Sequence, residues 1–154
     1  MDAYERCLSN KRLRAVDPDE IAAAEELRTA LQELRTAIHD FEAEHWAGAV
    51  TNAYFSMLHA CQGAIHVKGL RSTNLYSLIE ALRHHFLGDE TVTEEELRVL
   101  QNAKEAHEMA QSGARVTSAS ALEYLEAASN VLYNILATLD IPALDAELVP
   151  RISS

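Results

Sequence analysis

The chain has 154 residues, of which 48% are hydrophobic, with only 5 glycines and 3 prolines. This composition favours a single all-α domain with a real core. The formal charge of −11 argues against a broad basic face for nucleic acid and against adhesion to anionic lipid, although it is compatible with a small basic site. No apolar run is long enough to span a bilayer and the first residues do not resemble a signal peptide, so we expect a cytoplasmic protein that does not bind membranes.

The distribution of apolar residues divides the chain into three segments. Residues 1–16 are charged and short of apolar positions, and we expect them to be partly ordered. Residues 17–142 carry helical periodicity and are predicted to form the bundle. Residues 143–154 contain a proline and end in two serines, which predicts a mobile tail. The alternative is that the tail lies over a groove or a partner through three apolar residues: Leu144, Leu148 and Val149.

The first long helix is predicted to start within Asp17–Glu20. Asp17 can cap it, Pro18 suits the first helical position, and Glu20 can complete a capping box. From there apolar residues recur at alternating four- and three-residue steps: Leu27, Leu31, Leu34, Ile38 and Phe41. This seam predicts one long amphipathic helix of a bundle.

The most apolar stretch, Trp46 to Leu87, is predicted to form a helical hairpin at the centre of the fold. Apolar side chains recur on one helical face: Trp46, Val50, Ala53, Tyr54, Met57, Leu58, Cys61, Ala64 and Ile65. Small residues on the other faces allow neighbouring helices to approach closely: Ala47, Gly48, Ala49, Ala60 and Gly63. Lys68 and Gly69 end this helix, and Asn74 caps a shorter one. Cys61 is expected to be a buried core residue.

Two more helices complete the predicted fold. Thr93 and Glu96 can form a capping box, and Ser112–Gly113 ends that helix. The last helix starts at Ser118 or Ser120 and ends at Asp140–Pro142. The total is four long helices and one shorter helix with short loops, which predicts an all-α, up-and-down bundle.

Seven histidines raise the hypothesis of a metal site. A ferritin-like dimetal site needs two Glu-x-x-His pairs, and this chain has one, Glu42 with His45. His59 and His66 are a heptad apart, too distant to share one ion from a single helix. We therefore expect no metal and no cofactor, and a metal-dependent bundle is the least favoured of the hypotheses.

Two polar clusters are candidates for chemistry. Lys104, His107 and Glu108 fall within one helical turn, where a neutral imidazole beside a fixed cation can serve proton transfer. The alternative is a solvated polar face. Arg83 precedes His84–His85 near a helix end, where cations interact with the carboxyl terminus. The alternative there is an anion-binding patch that includes two further cations: Lys68 and Arg71.

Sequence signatures of common enzymes are missing. There is no glycine-rich phosphate loop, no Ser-His-Asp signature and no Cys-x-x-Cys. The residues taken alone therefore favour a helical binding or assembly module over an enzyme.

The central helix resembles a known family. Trp46–Val50 followed by Ala53–Ala60, with the sequence AYFSMLHA, is similar to the "Ala-Val, Ala-Tyr-Tyr-Ala-Met-Phe-His-Ala" helix of HEPN (higher eukaryote and prokaryote nucleotide-binding) domains. Lys68–Ser72 and the Leu78–Phe86 helix match the next segment of that family. Lys104–Met109 lies where many members have Arg-x-x-Ala-Asp-Tyr.

The resemblance covers roughly Ala22 to Leu139 and implies a bundle of four to five helices that is often a homodimer. Many prokaryotic members form a complex with a minimal nucleotidyltransferase. Others are ribonucleases that use Arg-x(4–6)-His across the dimer interface. In this chain no arginine is followed by a histidine after four to six residues. Lys104 replaces the family arginine, Met109 replaces the tyrosine, and Asn74 replaces the histidine common after the Gly-Leu-Arg turn.

We therefore expect a non-catalytic, dimeric HEPN-like module that binds a nucleotidyltransferase partner, a nucleotide or both. The alternative is a divergent metal-independent endoribonuclease of a toxin–antitoxin type, with RNA as its substrate. In that alternative His107 is the acid/base and Lys104 steadies the phosphorane charge. The candidate catalytic residues are Lys104, His107 and Glu108. The candidate ligand- or partner-binding residues are Lys68, Arg71, Asn74 and Arg83.

Overall fold

A computed structural model describes residues 1–152, which form six α-helices, two short strands and a 3-10 turn. The elements in chain order are α1 (Ala3–Ser9), β1 (Leu13–Ala15), α2 (Glu20–Glu42), α3 (Trp46–Val67), β2 (Leu70–Ser72), α4 (Leu75–Phe86), α5 (Glu94–Gln111), α6 (Ser118–Thr138) and the turn (Ala146–Leu148). Four long helices and the shorter α4 confirm the predicted all-α bundle. Within the described residues, no helix combines the length and apolarity needed to cross a membrane.

The central helix α3 packs most closely on α2. The Ser56 hydroxyl donates to the carbonyl of Ala30 on α2 at 2.7 Å, with both groups buried. A Cβ atom added at Gly63 would lie 2.9 Å from Cγ of Leu27 and 3.2 Å from the carbonyl oxygen of Ala23. Glycine at this position therefore allows the two helix backbones to approach more closely than any larger residue would.

The predicted apolar face of α3 is buried as expected, with two positions at its edge. Trp46 and Leu58 are half-buried. Cys61 is in the core, and burial raises the pKa of its thiol to about 12. The other members of the face are buried: Val50, Ala53, Tyr54, Met57, Ala64 and Ile65.

The predicted start of α2 is wrong by two residues. Asp19, and not Asp17, is the cap, because its carboxylate accepts from the backbone N–H groups of Ile21 and Ala22 at 3.0 and 3.1 Å. Pro18 therefore precedes the helix. The chain before it is still extended, since the N–H of Val16 donates to the carbonyl of Gly69 at 2.9 Å.

The predicted caps of α4 and α5 and the predicted start of α6 at Ser118 are confirmed. The side chain of Asn74 accepts from the N–H of Ser77 at 2.8 Å and begins α4. Thr93 and Glu96 form the reciprocal capping box of α5. α6 begins at Ser118, with Thr117 as its cap.

The strands β1 and β2, which the sequence did not predict, pair antiparallel, and we call this pair the ribbon. Leu13 and Leu70 point inward from it and are buried. Gly69 precedes β2 with a φ of +71°, and a Cβ atom there would lie 2.9 Å from the carbonyl oxygen of Val16. Each strand has only three residues, which is too short to show a period of two.

Both ends of the described chain pack on the bundle. Cys7 of α1 is buried. Leu144 and Val149 are also buried, and the Ser129 hydroxyl of α6 donates to the carbonyl of Pro150 at 2.6 Å. Residues 143–152 thus lie along α6, where we expected a mobile tail, because their apolar side chains cover the helix. Residues 153 and 154 of that predicted tail fall outside the described residues.

Replacing Gly63 with valine should lower the free energy of unfolding by about 1–3 kcal/mol, because the added atoms force α2 and α3 apart. Denaturant unfolding followed by circular dichroism measures the change. Gly88→Val is the matched control, since a Cβ atom at Gly88 meets nothing within 4 Å. Equal losses in the two variants would contradict the close approach at Gly63.

Candidate functional site

The central helix leaves one line of side chains only partly covered. We call this line the α3 stripe. Its members follow three- and four-residue steps and are all partly exposed: Thr51, Phe55, Leu58, His59, Gln62 and His66. Since these steps place residues on one side of a helix, the stripe is a continuous strip of surface along α3.

The carboxyl-terminal half of the stripe opens into a groove of about 490 Å³, which we call the ribbon groove. It lies between α2, α3 and β2. Its lining is mostly polar: Ala22, Glu26, Leu58, His59, Gln62, His66, Arg71 and Ser72. The volume is within the range of small-molecule sites, and the polar lining suits a polar ligand.

His59 is the most perturbed base of the groove. Its Nδ1 lies 2.5 Å from Oε1 of Glu33 on α2. This hydrogen bond raises the pKa of His59, partial burial opposes the shift, and the negative charges of Glu33 and Glu26 add to it. The pair therefore favours the imidazolium form of His59 at the edge of the groove.

Two further polar side chains continue the groove toward the ribbon. The side-chain amide of Gln62 donates to the Ser72 hydroxyl at 2.8 Å, which joins α3 to β2. Within the described part of the chain, Nδ1 of His66 is buried without a hydrogen-bond partner. A buried polar atom without a partner is costly, and such atoms are uncommon outside functional sites.

The other half of the stripe meets α5 at His107. This side chain is only 7% exposed. A hydrogen bond of 3.0 Å joins its Nδ1 to the Thr51 hydroxyl. Its ring stacks on Tyr54, with centroids 5.4 Å apart, and meets Phe55 edge-on at 5.0 Å. His107 therefore fills the α3–α5 contact.

The structure does not bring the three predicted catalytic residues together at one surface. Lys104 and Glu108 are exposed and form a loose ion pair, with Nζ and Oε1 3.8 Å apart. His107 points inward from the same helix. The hypothesis of a solvated polar face thus describes Lys104 and Glu108 but not His107, because the heptad that buries Leu100 and Ala103 also buries position 107.

The four predicted binding residues also lie apart. Arg71 lines the ribbon groove. Asn74 is occupied as the cap of α4. Lys68 lies over the Phe86 ring, with its Nζ 5.4 Å from the centroid. Arg83 is held by Glu94, with Nε and Oε1 2.6 Å apart, and by a second carboxylate on its own helix. Only Arg71 of the four therefore faces the groove.

His84 and His85 are joined to the amino-terminal helix. The Tyr4 ring stacks on His84 with centroids 3.8 Å apart, and its hydroxyl lies 3.0 Å from Nε2 of His85. Burial lowers the pKa of His85, and the neighbouring charges of His84 and Lys68 lower it further. This contact, which the sequence did not indicate, fastens α1 to α4. Arg71 takes no part in this contact and lines the ribbon groove instead.

The histidines of the described chain do not converge. Among residues 1–152, no three side chains of His, Cys, Asp or Glu are placed to hold a metal ion.

A family model described as HEPN domain matches residues 23–137. The chain belongs to the HEPN family. Comparison with curated proteins gives no match. The matched residues begin in α2 and end in the last turn of α6, so they include the α3 stripe and β2. α1 and β1 are outside the matched HEPN region, and the ribbon is therefore half inside it and half outside.

Replacing Glu33 with glutamine should remove the cause of the raised pKa of His59. The pair with Glu33 stabilises the protonated form of His59 in the folded protein. Its contribution to the free energy of unfolding is therefore fully present below the ordinary histidine pKa of 6.5 and is lost as the pH rises through the raised pKa. The stability cost of Glu33→Gln should therefore be largest below about pH 6.5 and should fall as the pH rises through the raised pKa of His59.

Chemical denaturation across this pH range measures the effect, and nuclear magnetic resonance of the His59 ring measures its pKa. Glu25→Gln, at an exposed position of the same helix, is the matched control. A cost of Glu33→Gln that does not vary with pH would contradict the ion pair.

Proposed function

We propose that this chain is a non-catalytic HEPN module that pairs with a second copy and binds a nucleotidyltransferase partner, a nucleotide or both. The observation that carries the non-catalytic part is the burial of His107. An acid/base must reach the proton that it transfers. The His107 ring is instead covered by Tyr54 and Phe55, and its Nδ1 is engaged by Thr51.

The cations near this position also favour a non-catalytic module. The alternative of an endoribonuclease requires a cation that meets the developing phosphorane charge. Lys104 is exposed and neighbours Glu108, whereas the His107 side chain, one turn further along α5, is buried in the core. A lysine also lacks the two-pronged geometry with which arginine binds phosphate.

Pairing with a second copy is supported by an apolar groove between α5 and the start of α6. Met109 is 59% exposed and lies beside Ala106, Ala110 and Val116 in a groove of about 270 Å³. An exposed apolar groove of this kind is typical of an interaction site. We therefore assign the contact between two copies to the groove around Met109.

His107→Ala should behave as a core substitution. It removes the buried imidazole and its partly buried hydrogen bond to the Thr51 hydroxyl, which should lower the free energy of unfolding by about 1–3 kcal/mol. A fluorescent RNA pool incubated with chelator should stay intact with both the wild-type protein and the variant. Cleavage by the wild-type protein that is lost in His107→Ala would contradict the proposal and favour the endoribonuclease.

Light scattering at micromolar concentration should give a dimer for the wild-type protein and a monomer for Met109→Glu, because a carboxylate in an apolar contact is strongly unfavourable. Ile21→Glu is the matched control, since Ile21 is another large apolar residue, 74% exposed, at the start of α2. That variant should stay a dimer. A wild-type monomer that also fails to retain a nucleotidyltransferase in a pull-down would contradict the assembly proposal.

A further inference from the structure

The ribbon places two arginines directly opposite each other. Arg14 of β1 pairs in register with Arg71 of β2. Directly opposed side chains on an antiparallel pair lie on one face with Cβ atoms about 5 Å apart, and like charges there are destabilising. Within residues 1–152, neither arginine is joined to a carboxylate in an ion pair. An uncompensated cationic pair of this kind is suited to an anion that bridges the two guanidinium groups.

The arginine pair belongs to the most basic region of an acidic protein. Residues 1–16 contain four cations and two carboxylates, whereas the whole chain has a formal charge of −11. Lys68 precedes β2 and adds to this region. Three carboxylates follow β1 directly, Asp17, Asp19 and Glu20, so the excess of cations is confined to the segment before them and the arginine pair.

The ribbon groove lies against Arg71 and supplies further donors. Ser72 follows Arg71 in its lining, and His59 carries the raised pKa that favours its imidazolium form. His66 contributes a second imidazole to the lining. Within the described residues, its buried Nδ1 atom has no hydrogen-bond partner. One arginine, a hydroxyl and two imidazoles thus line the groove, and Arg14 lies across the strand pair from that arginine.

We propose that the ribbon groove binds a phosphate-bearing ligand, either inorganic phosphate or the phosphate of a nucleotide. Arg14 and Arg71 bind the phosphate oxygens at the rim, and His59 and Ser72 donate from the groove. Glu33 is engaged by His59 and does not oppose the anion. Glu26 lines the groove as well and accepts a hydrogen bond from a hydroxyl or amino group of the ligand.

This inference rests on the nucleotide-binding part of the proposed function and gives it a location. It is independent of the Met109 groove, because the two sites share no residue. Light scattering of the protein without ligand therefore tests pairing alone, and phosphate binding tests the ribbon groove alone.

The test is a titration of the full chain with inorganic phosphate and, separately, with adenosine monophosphate, followed through the ring signals of His59 and His66 by nuclear magnetic resonance. Both probes should shift these signals and saturate. Arg14→Gln and Arg71→Gln should each weaken binding by about tenfold, as expected for the loss of one charge-assisted contact. Tighter binding of the nucleotide than of phosphate would identify the nucleotide as the ligand, and equal binding would identify the free anion.

Arg35→Gln is the matched control, because Arg35 is an exposed arginine of α2 that lines neither the ribbon groove nor the groove around Met109. It should leave both affinities within about twofold of the wild-type values. Ring signals that stay unchanged at millimolar phosphate and nucleotide would overturn the proposal, as would equal weakening by Arg35→Gln. Loss of binding to an acidic protein partner in Arg71→Gln, with no response to either probe, would mean that the ribbon docks a protein and would also overturn it.

Discussion

The close packing of α2 against α3 is the constraint on which the other contacts depend. It requires small residues along both helices, a glycine at position 63 and the buried hydrogen bond from Ser56 to Ala30. With α2 so near, the stripe from Thr51 to His66 is bordered closely by α2 carboxylates, and Glu33 reaches His59. The same contact that stabilises the core thus sets the geometry of the groove.

The ribbon groove lies away from the α5 position at which the HEPN resemblance places the family arginine. On α5, the residue that follows the family arginine position by three is a histidine, but it faces the core and packs between aromatic rings. The imidazoles that line the ribbon groove are on α3 instead, beside the ribbon.

The helices, their order and most of their caps could be predicted from the sequence, because 18- to 23-residue amphipathic helices repeat their signal over several turns. The start of α2 was misplaced because Asp17 and Asp19 are both suitable N-cap residues. The ribbon contact keeps the chain extended as far as Val16, and the helix begins after Asp19. The groove could not be predicted, because it joins Glu33, His59 and Arg71 from three separate elements. The one sequence signal for the groove was the spacing of His59 and His66, which places both on one helix face. In the sequence that spacing bore only on the hypothesis of a shared metal ion.

Native-state hydrogen exchange tests the central role of the α2–α3 packing most directly. If these two helices form the rigid centre, backbone amides from Ala53 to Ile65 should exchange last, only through global unfolding, with a free energy of opening equal to that from denaturant unfolding. The facing amides of α2 should share that value. Exchange of the α3 amides through local opening, before those of α5 and α6, would contradict the account.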